Sequence, residues 1–198
     1  MKLNEIYLEE MPKIVEPTNF GLDDRKTNHA FAKKMLKDKR KKIIKSFDDD
    51  HILYEIGQKI ILINKQRQEI NYVVQYDIKT FSALKQDAIQ QIKVFRLKGS
   101  EYIDGLAKDI FFNKLLPKYG LMITDALQTE DGERFWFDRI RDALNLNLFV
   151  YYVDLVNKKE NFRILDTNTL RDKEDEIWGH SADFKSKRVI ILDKELKI

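Results

Sequence analysis

The chain of 198 residues contains no cysteine, three prolines, seven glycines and three histidines. Without thiols there is neither a disulfide framework nor a thiolate metal site. The histidines, His29, His51 and His180, lie far apart in the sequence, so no histidine metal cluster is expected. No apolar run approaches the roughly 20 residues that a bilayer-crossing helix needs, and a membrane is not an expected partner. The opening residues, Met1 to Glu10, hold three acids and no apolar stretch, which predicts no secretory leader and a soluble, cytoplasmic protein. Also missing are the Gly-x-Ser-x-Gly, Walker lysine, His-Glu-x-x-His and calcium-loop patterns, each of which would have carried a specific chemistry.

The residues present fit one globular domain, residues 1–198, of mixed α/β class with a central mixed sheet flanked by helices. A chain of this length buries about 70% of its unfolded surface. It is 43% hydrophobic and 35% charged, and the charge is unevenly spread. Between Arg25 and Lys45 ten lysines and arginines stand against a single acid, Asp38, although the whole chain carries only +3. The stretch from about 24 to 47 reads as one amphipathic helix, capped by Asp23 or Asp24, with a sparse apolar stripe of Ala30, Phe31, Met35, Ile43 and Ile44. Such a surface suits phosphate or nucleic-acid contact, with Lys33, Lys37, Arg40 and Lys41 the candidate contacts. A solvated helix face, answered by Asp48, Asp49 and Asp50, is the plainer reading.

Elsewhere the pattern favours strands. Leu3 to Leu8 reads as a first strand, and Pro12 and Pro17 make Met11 to Gly21 irregular. Lys59 to Asn64, Ile70 to Lys79 and Ile89 to Leu97 read as an antiparallel set, with Tyr72, Val74 and Tyr76 sharing one face, and Ile92, Val94 and Leu97 near one face. A helix is expected from about Glu130 to Leu144, started by Thr129 and burying some of Phe135, Trp136, Ile140 and Leu144. Leu148 to Val156 is the segment richest in β-formers. Asn161 to Leu165 and Arg188 to Leu192 complete the strands, and Arg171 to Glu176 reads as a charged loop.

The stretch from Ile89 to Asp125 organises the rest. It reads as strand, glycine-containing turn, helix with Leu106, Ile110, Phe111 and Leu115 on one stripe, and a short apolar strand ending in Thr124-Asp125. A crossover of this kind is right-handed by strong default. Backbone N–H groups at the start of the helix offer an anion site, and Gly105, lacking a Cβ, lets a phosphate come close.

Here Tyr102-Ile103-Asp104-Gly105-Leu106-Ala107 resembles the phosphate-binding signature of the GNAT superfamily of N-acyltransferases: Gln or Arg, two residues, Gly, one residue, Gly or Ala. Gly105 and Ala107 match, whereas Tyr102 replaces Gln or Arg and Asp104 adds a negative charge. The element order from about Leu3 to Leu192 is similar to the family plan, and the Gln128-Thr129-Glu-Asp-Gly132 loop looks like small GNAT-like proteins encoded by bacteriophages. The resemblance implies a single GNAT-like domain, acetyl-CoA or another acyl-CoA as cofactor, an amine acceptor, no metal, and a bacterial or phage-infected cytoplasm. It implies cofactor contacts at Leu97, Lys98, Gly99, Tyr102, Gly105, Leu106 and Ala107. Direct attack of an amine on the thioester needs a proton acceptor and an acid for the departing thiolate. In the family that acid is often a tyrosine early in the helix after the fifth strand, where this chain has Phe135, Trp136 and Phe137. Asp125 is then the polar candidate in the cleft, although it equally suits a loop carboxylate, and Tyr151 or Tyr152 are the candidate acids. A catalytically inactive binding or inhibitor protein of the same shape is the competing expectation.

Overall fold

A computed structural model describes residues 20–81, 86–124, 130–157, 161–178 and 187–195. The expected first strand at Leu3 to Leu8, the Thr129 cap and Asp125 lie outside these residues.

The first described helix, α1 (Arg25–Lys37), starts where the Asp24 carboxylate accepts the Thr27 N–H at 2.7 Å. Its Asn28 is buried and bridges to the sheet, accepting the Ile70 N–H at 2.6 Å and donating to the Ile70 carbonyl at 3.0 Å. The expected helix to residue 47 is therefore too long. Asp38 ends it in extended backbone and accepts the Arg40 N–H at 2.9 Å, and the Lys41 ammonium caps the last turn through the Leu36 carbonyl at 2.6 Å. Beyond Lys41 the chain becomes strand β1 (Lys42–Ser46), because Ile43 and Ile44 lie in a segment that pairs with β2 (His51–Ile56), a strand with no expectation from sequence.

Then come β3 (Lys59–Asn64), β4 (Glu69–Phe81) and β5 (Gln86–Arg96), each antiparallel to its predecessor. Residues 106–119 are helical throughout, as α2 (Leu106–Ile110), a π-helical turn (Phe111–Leu115) and α3 (Leu116–Tyr119). Pro117, which has no N–H to donate, sits at the start of α3, where the widened turn ends. After β6 (Leu121–Ile123) come α4 (Glu130–Asn145), β7 (Phe149–Asp154), β8 (Phe162–Ile164), α5 (Thr167–Asp172), α6 (Glu174–Trp178) and β9 (Lys187–Leu192). The expected charged loop at Arg171 to Glu176 is instead the end of α5 and the start of α6. The Asp166 carboxylate, accepting the Thr169 N–H at 2.8 Å, starts α5.

The nine described strands form one mixed sheet in the order β1-β2-β3-β4-β5-β6-β9-β7-β8, with β5–β6 the parallel pair among them. One face carries Leu62, Tyr72, Val74, Tyr76, Ile89, Met122, Val150 and Ile191, covered by Ile110, Phe111 and Leu115 of the 106–119 helix and by Trp136 and Ile140 of α4. The opposite face splits in two. Near β3 it holds Ile61, Ile63, Val73 and Phe95 under Ala32 and Met35 of α1. Near β6 it holds Leu121, Ile123, Tyr151 and Ile190. Val94 and Leu97, expected on one face, pack on opposite ones, as a spacing of three in a period of two requires.

Candidate functional site

The turn between β5 and α2 lies where the sheet changes direction. The parallel ladder is short: Ile89 pairs with Met122 and Gln90 with Ile123. Past Ile123 the chain stays with β9, since the Thr124 N–H donates to Val189 at 3.0 Å and the Thr124 hydroxyl accepts the Val189 N–H at 3.0 Å. β5 meanwhile runs on to Arg96. The described parallel pairing therefore ends at Gln90 and Ile123, six residues before β5 itself ends.

Within the turn, Gly99 and Gly105 have φ of +76° and +71°, the left-handed region that glycine occupies at no steric cost. A Cβ at Gly105 would meet no heavy atom within 4 Å, so the space beside this backbone is open. At the helix start the Leu106 N–H turns back to Ile103 at 3.2 Å and Asp109 bonds to Gly105 at 3.0 Å. The N–H groups of Ala107 and Lys108 have no acceptor among the described residues. Asp104 points into solvent and is approached by Arg96 at 3.6 Å. Of the expected contacts, Gly99, Gly105 and Ala107 present backbone and Lys98 is exposed, whereas Leu106 is 3% exposed and faces the core.

Tyr102 has a different occupation. It takes φ +62°, a strained setting for an aromatic residue, and is held there from two sides. Its ring stacks on Phe47 at 5.0 Å, and its hydroxyl donates to Asp48 at 3.0 Å. The same carboxylate accepts the backbone N–H groups of Asp50 at 2.8 Å and His51 at 2.6 Å. The His51 backbone bond, with the His51 ring, Asp50 and Tyr102 adding to it, holds Asp48 far below the usual carboxylate range. The bond to Asp48 raises the Tyr102 phenol in turn.

His51 is 7% exposed and its ring hydrogen bonds fix its tautomer. Asn64 Oδ1 accepts the Arg67 N–H at 2.8 Å, so its amide nitrogen is the atom 2.9 Å from His51 Nε2. Nε2 must accept, and Nδ1 therefore carries the proton that goes to Asp48 at 2.9 Å. Asp48, His51 and Glu101 could place ligand atoms within 4.8 Å of one another. A cation on Nδ1 would displace that proton, and Nε2 could take it up only by facing the Asn64 N–H. The cluster is a clamp that ties the 97–105 turn to the β1–β2 hairpin. No spacing rule links residues 47, 48, 51, 64 and 102, so the sequence carried no signal for it.

The catalytic candidates fare less well. Tyr152 donates to Glu176 at 3.0 Å, and its phenol is pushed up to about 12, first by burial and then by that carboxylate. Tyr151 points to the other face of the sheet, 3% exposed among Leu121, Ile123 and Ile190. In α4, Phe135 and Trp136 pack edge-on around Phe111 at 5.3 and 5.8 Å. Of the four basic candidates, Lys33 and Lys37 are exposed on α1, opposite its buried Asn28, Ala32 and Met35. Arg40 is paired with Asp38 at 2.7 Å, and Lys41 caps the helix.

Comparisons of the chain with protein-family models, with curated proteins and with solved structures give no match.

Proposed function

We propose that this chain is a GNAT-like domain whose Leu97–Ala107 turn receives the pyrophosphate of an acyl-CoA, and that it acts as a coenzyme-binding module. The observation that carries the reading is a left-handed Gly105 beside two N–H groups at a helix start that have no acceptor among the described residues, next to the short parallel pairing of β5 with β6. The order of three antiparallel strands β3–β5, turn and helix, β6, α4 and a closing pair of β7 and β9 agrees with the family plan. The open space at Gly105 suits a phosphate oxygen, and Arg96 offsets the Asp104 charge. The coenzyme, when bound, would supply an activated thioester. The chain's part is to seat its phosphates on the Ala107 and Lys108 N–H groups.

An active N-acyltransferase is the second reading, and the tyrosines weigh against it. The Tyr152 hydroxyl already donates its hydrogen bond to Glu176 and Tyr151 is sealed in an apolar layer, so neither offers an acid to a thiolate. The two readings separate on turnover. Acetyl-CoA incubated with the protein and a mixture of primary amines should release no free thiol above the uncatalysed rate, and protein-dependent release would restore the enzymatic reading. Asp104→Asn should tighten acetyl-CoA binding by up to about fivefold, the gain a solvent-exposed like charge allows.

Contact between α1 and nucleic acid is compatible with either reading, and the exposed pair Lys33 and Lys37 supports it. Binding to duplex DNA would weaken with salt at a log–log slope of about −0.9 per phosphate neutralised. The Lys33→Glu, Lys37→Glu double variant should abolish it. No gel shift by the wild type at low salt would leave this surface as solvated helix.

A further inference from the structure

Strands β7 and β9 set an acid and an amine opposite each other. Asp154 and Lys187 are direct partners in the antiparallel ladder, so their side chains leave the same face of the sheet. That face is the helix-covered one, because Tyr152, two residues before Asp154, packs in its core. The Lys187 ammonium donates to Asp154 Oδ2, and the two side chains are only 12% and 4% exposed. In the other described lysine–carboxylate pairs the lysine is at least 34% exposed. This pair alone among them is withdrawn from water.

An ion pair taken out of water is costly to keep charged, and proton transfer to the neutral amine and acid relieves that cost. A neutral lysine amine is a nucleophile, and a protonated carboxyl can release its hydroxyl as water. Groups held in contact react as though at effective concentrations of about 10⁵–10⁸ M. Two further parts of such a reaction are in place. Asp154 Oδ1 accepts the Val156 and Asn157 N–H groups at 2.8 and 3.0 Å, a pair of donors aimed at the oxygen where negative charge would develop. The Tyr152 hydroxyl accepts from Lys187 and donates to Glu176 at 3.0 Å, which makes it a proton path between them. Glu176 is held below its ordinary range by Lys173, so it is ionised at neutral pH and able to take up a proton.

We infer that Lys187 and Asp154 condense to an intramolecular isopeptide bond, a covalent cross-link between β7 and β9. The Lys187 nitrogen attacks Asp154 Cγ, and the carbonyl electron pair moves onto Oδ1 between its two N–H donors. The surplus proton on nitrogen passes through the Tyr152 hydroxyl to Glu176 and returns to the departing Oδ2 hydroxyl. The carbon–oxygen bond breaks and one water leaves. A neutral amide replaces two buried charges, with no change in oxidation state. The reaction needs no ligand and is independent of what the Gly105 turn binds.

Intact-mass spectrometry of the full chain, unfolded in acid after storage at neutral pH, reads the reaction directly. The wild type should weigh one water less than its sequence, and a digest should yield a branched peptide joining Lys187 to Asp154. Lys187→Arg keeps a cation beside Asp154, so the fold is retained, and it should show the full mass. Glu176→Gln cannot take up the proton and should slow the loss of water at least about tenfold. A wild type that stays at full mass is held by an ordinary ion pair, and overturns the inference. Loss of water that persists in Lys187→Arg, or a digest that places it elsewhere in the chain, overturns it equally.

Discussion

At the scale of single residues, Asp48 does the most with the least burial. It holds the Asp50 and His51 N–H groups, the His51 ring and the Tyr102 hydroxyl at once. A carboxylate whose folded pKa is depressed contributes stability above its unfolded pKa, and that contribution is lost as the pH falls toward the folded value. Asp48 is lowered, and Asp38 is drawn down to about 2 by Arg40. Thermal stability should therefore decline as the pH drops below the ordinary carboxylate range, and continue to decline toward pH 2. Asp48→Asn should flatten that decline, seen as a smaller change in melting temperature between neutral and acid buffer. An identical acid profile for the two proteins would show that the clamp adds nothing. Asn64 is the complementary case, because it is buried. Asn64→Leu strips the partner from His51 Nε2 and from the Arg67 N–H, and should cost about 1–3 kcal/mol in urea unfolding.

At the scale of elements, α1 shows how much a run of lysines hides. Lys41 and Lys33 look interchangeable in sequence, yet one ties off the helix end and the other is exposed with no ion-pair partner among the described residues. Lys41→Ala should cost about 1 kcal/mol by exposing the Leu36 and Asp38 carbonyls of the last turn. Reversing Lys33 and Lys37 should change stability by no more than about 0.5 kcal/mol. Equal losses from both changes, measured by denaturant midpoint, would contradict this division. Legibility in the sequence divides along the same line. β3, α4, β7 and β9 were legible because local alternation or a 3.6-residue stripe decided them. β1 and β2 were not, because Ile43 and Ile44 sit among lysines at a spacing a helix also satisfies, and only the pairing of this segment with β2, Ile43 opposite Tyr54, makes it a strand. The glycine turn was legible as a turn. That its tyrosine would bond Asp48, 54 residues away, was not. Long-range polar pairs leave no period behind them.

At the scale of the whole molecule, one sheet, with nine strands among the described residues, carries a helix-covered face that runs from β2 to β8. Trp136 joins α4 to the 106–119 helix through Phe111 and is 2% exposed. Trp136→Ala should cost about 3–5 kcal/mol and lower the melting midpoint by about 10 °C. A loss under about 1 kcal/mol would mean that this layer does not hold the two helices together. The layer packs the 106–119 helix against the sheet that carries β5 and β6. We propose that this helix start seats a pyrophosphate. Calorimetric titration of acetyl-CoA into the wild type and into Gly105→Glu tests it most directly, with melting curves to establish that both are folded. Saturable binding is expected from the wild type and none from the variant, whose added carboxylate fills the open space beside the backbone. A wild type that takes up no heat at millimolar acetyl-CoA, or a folded variant that binds as well as the wild type, would contradict it.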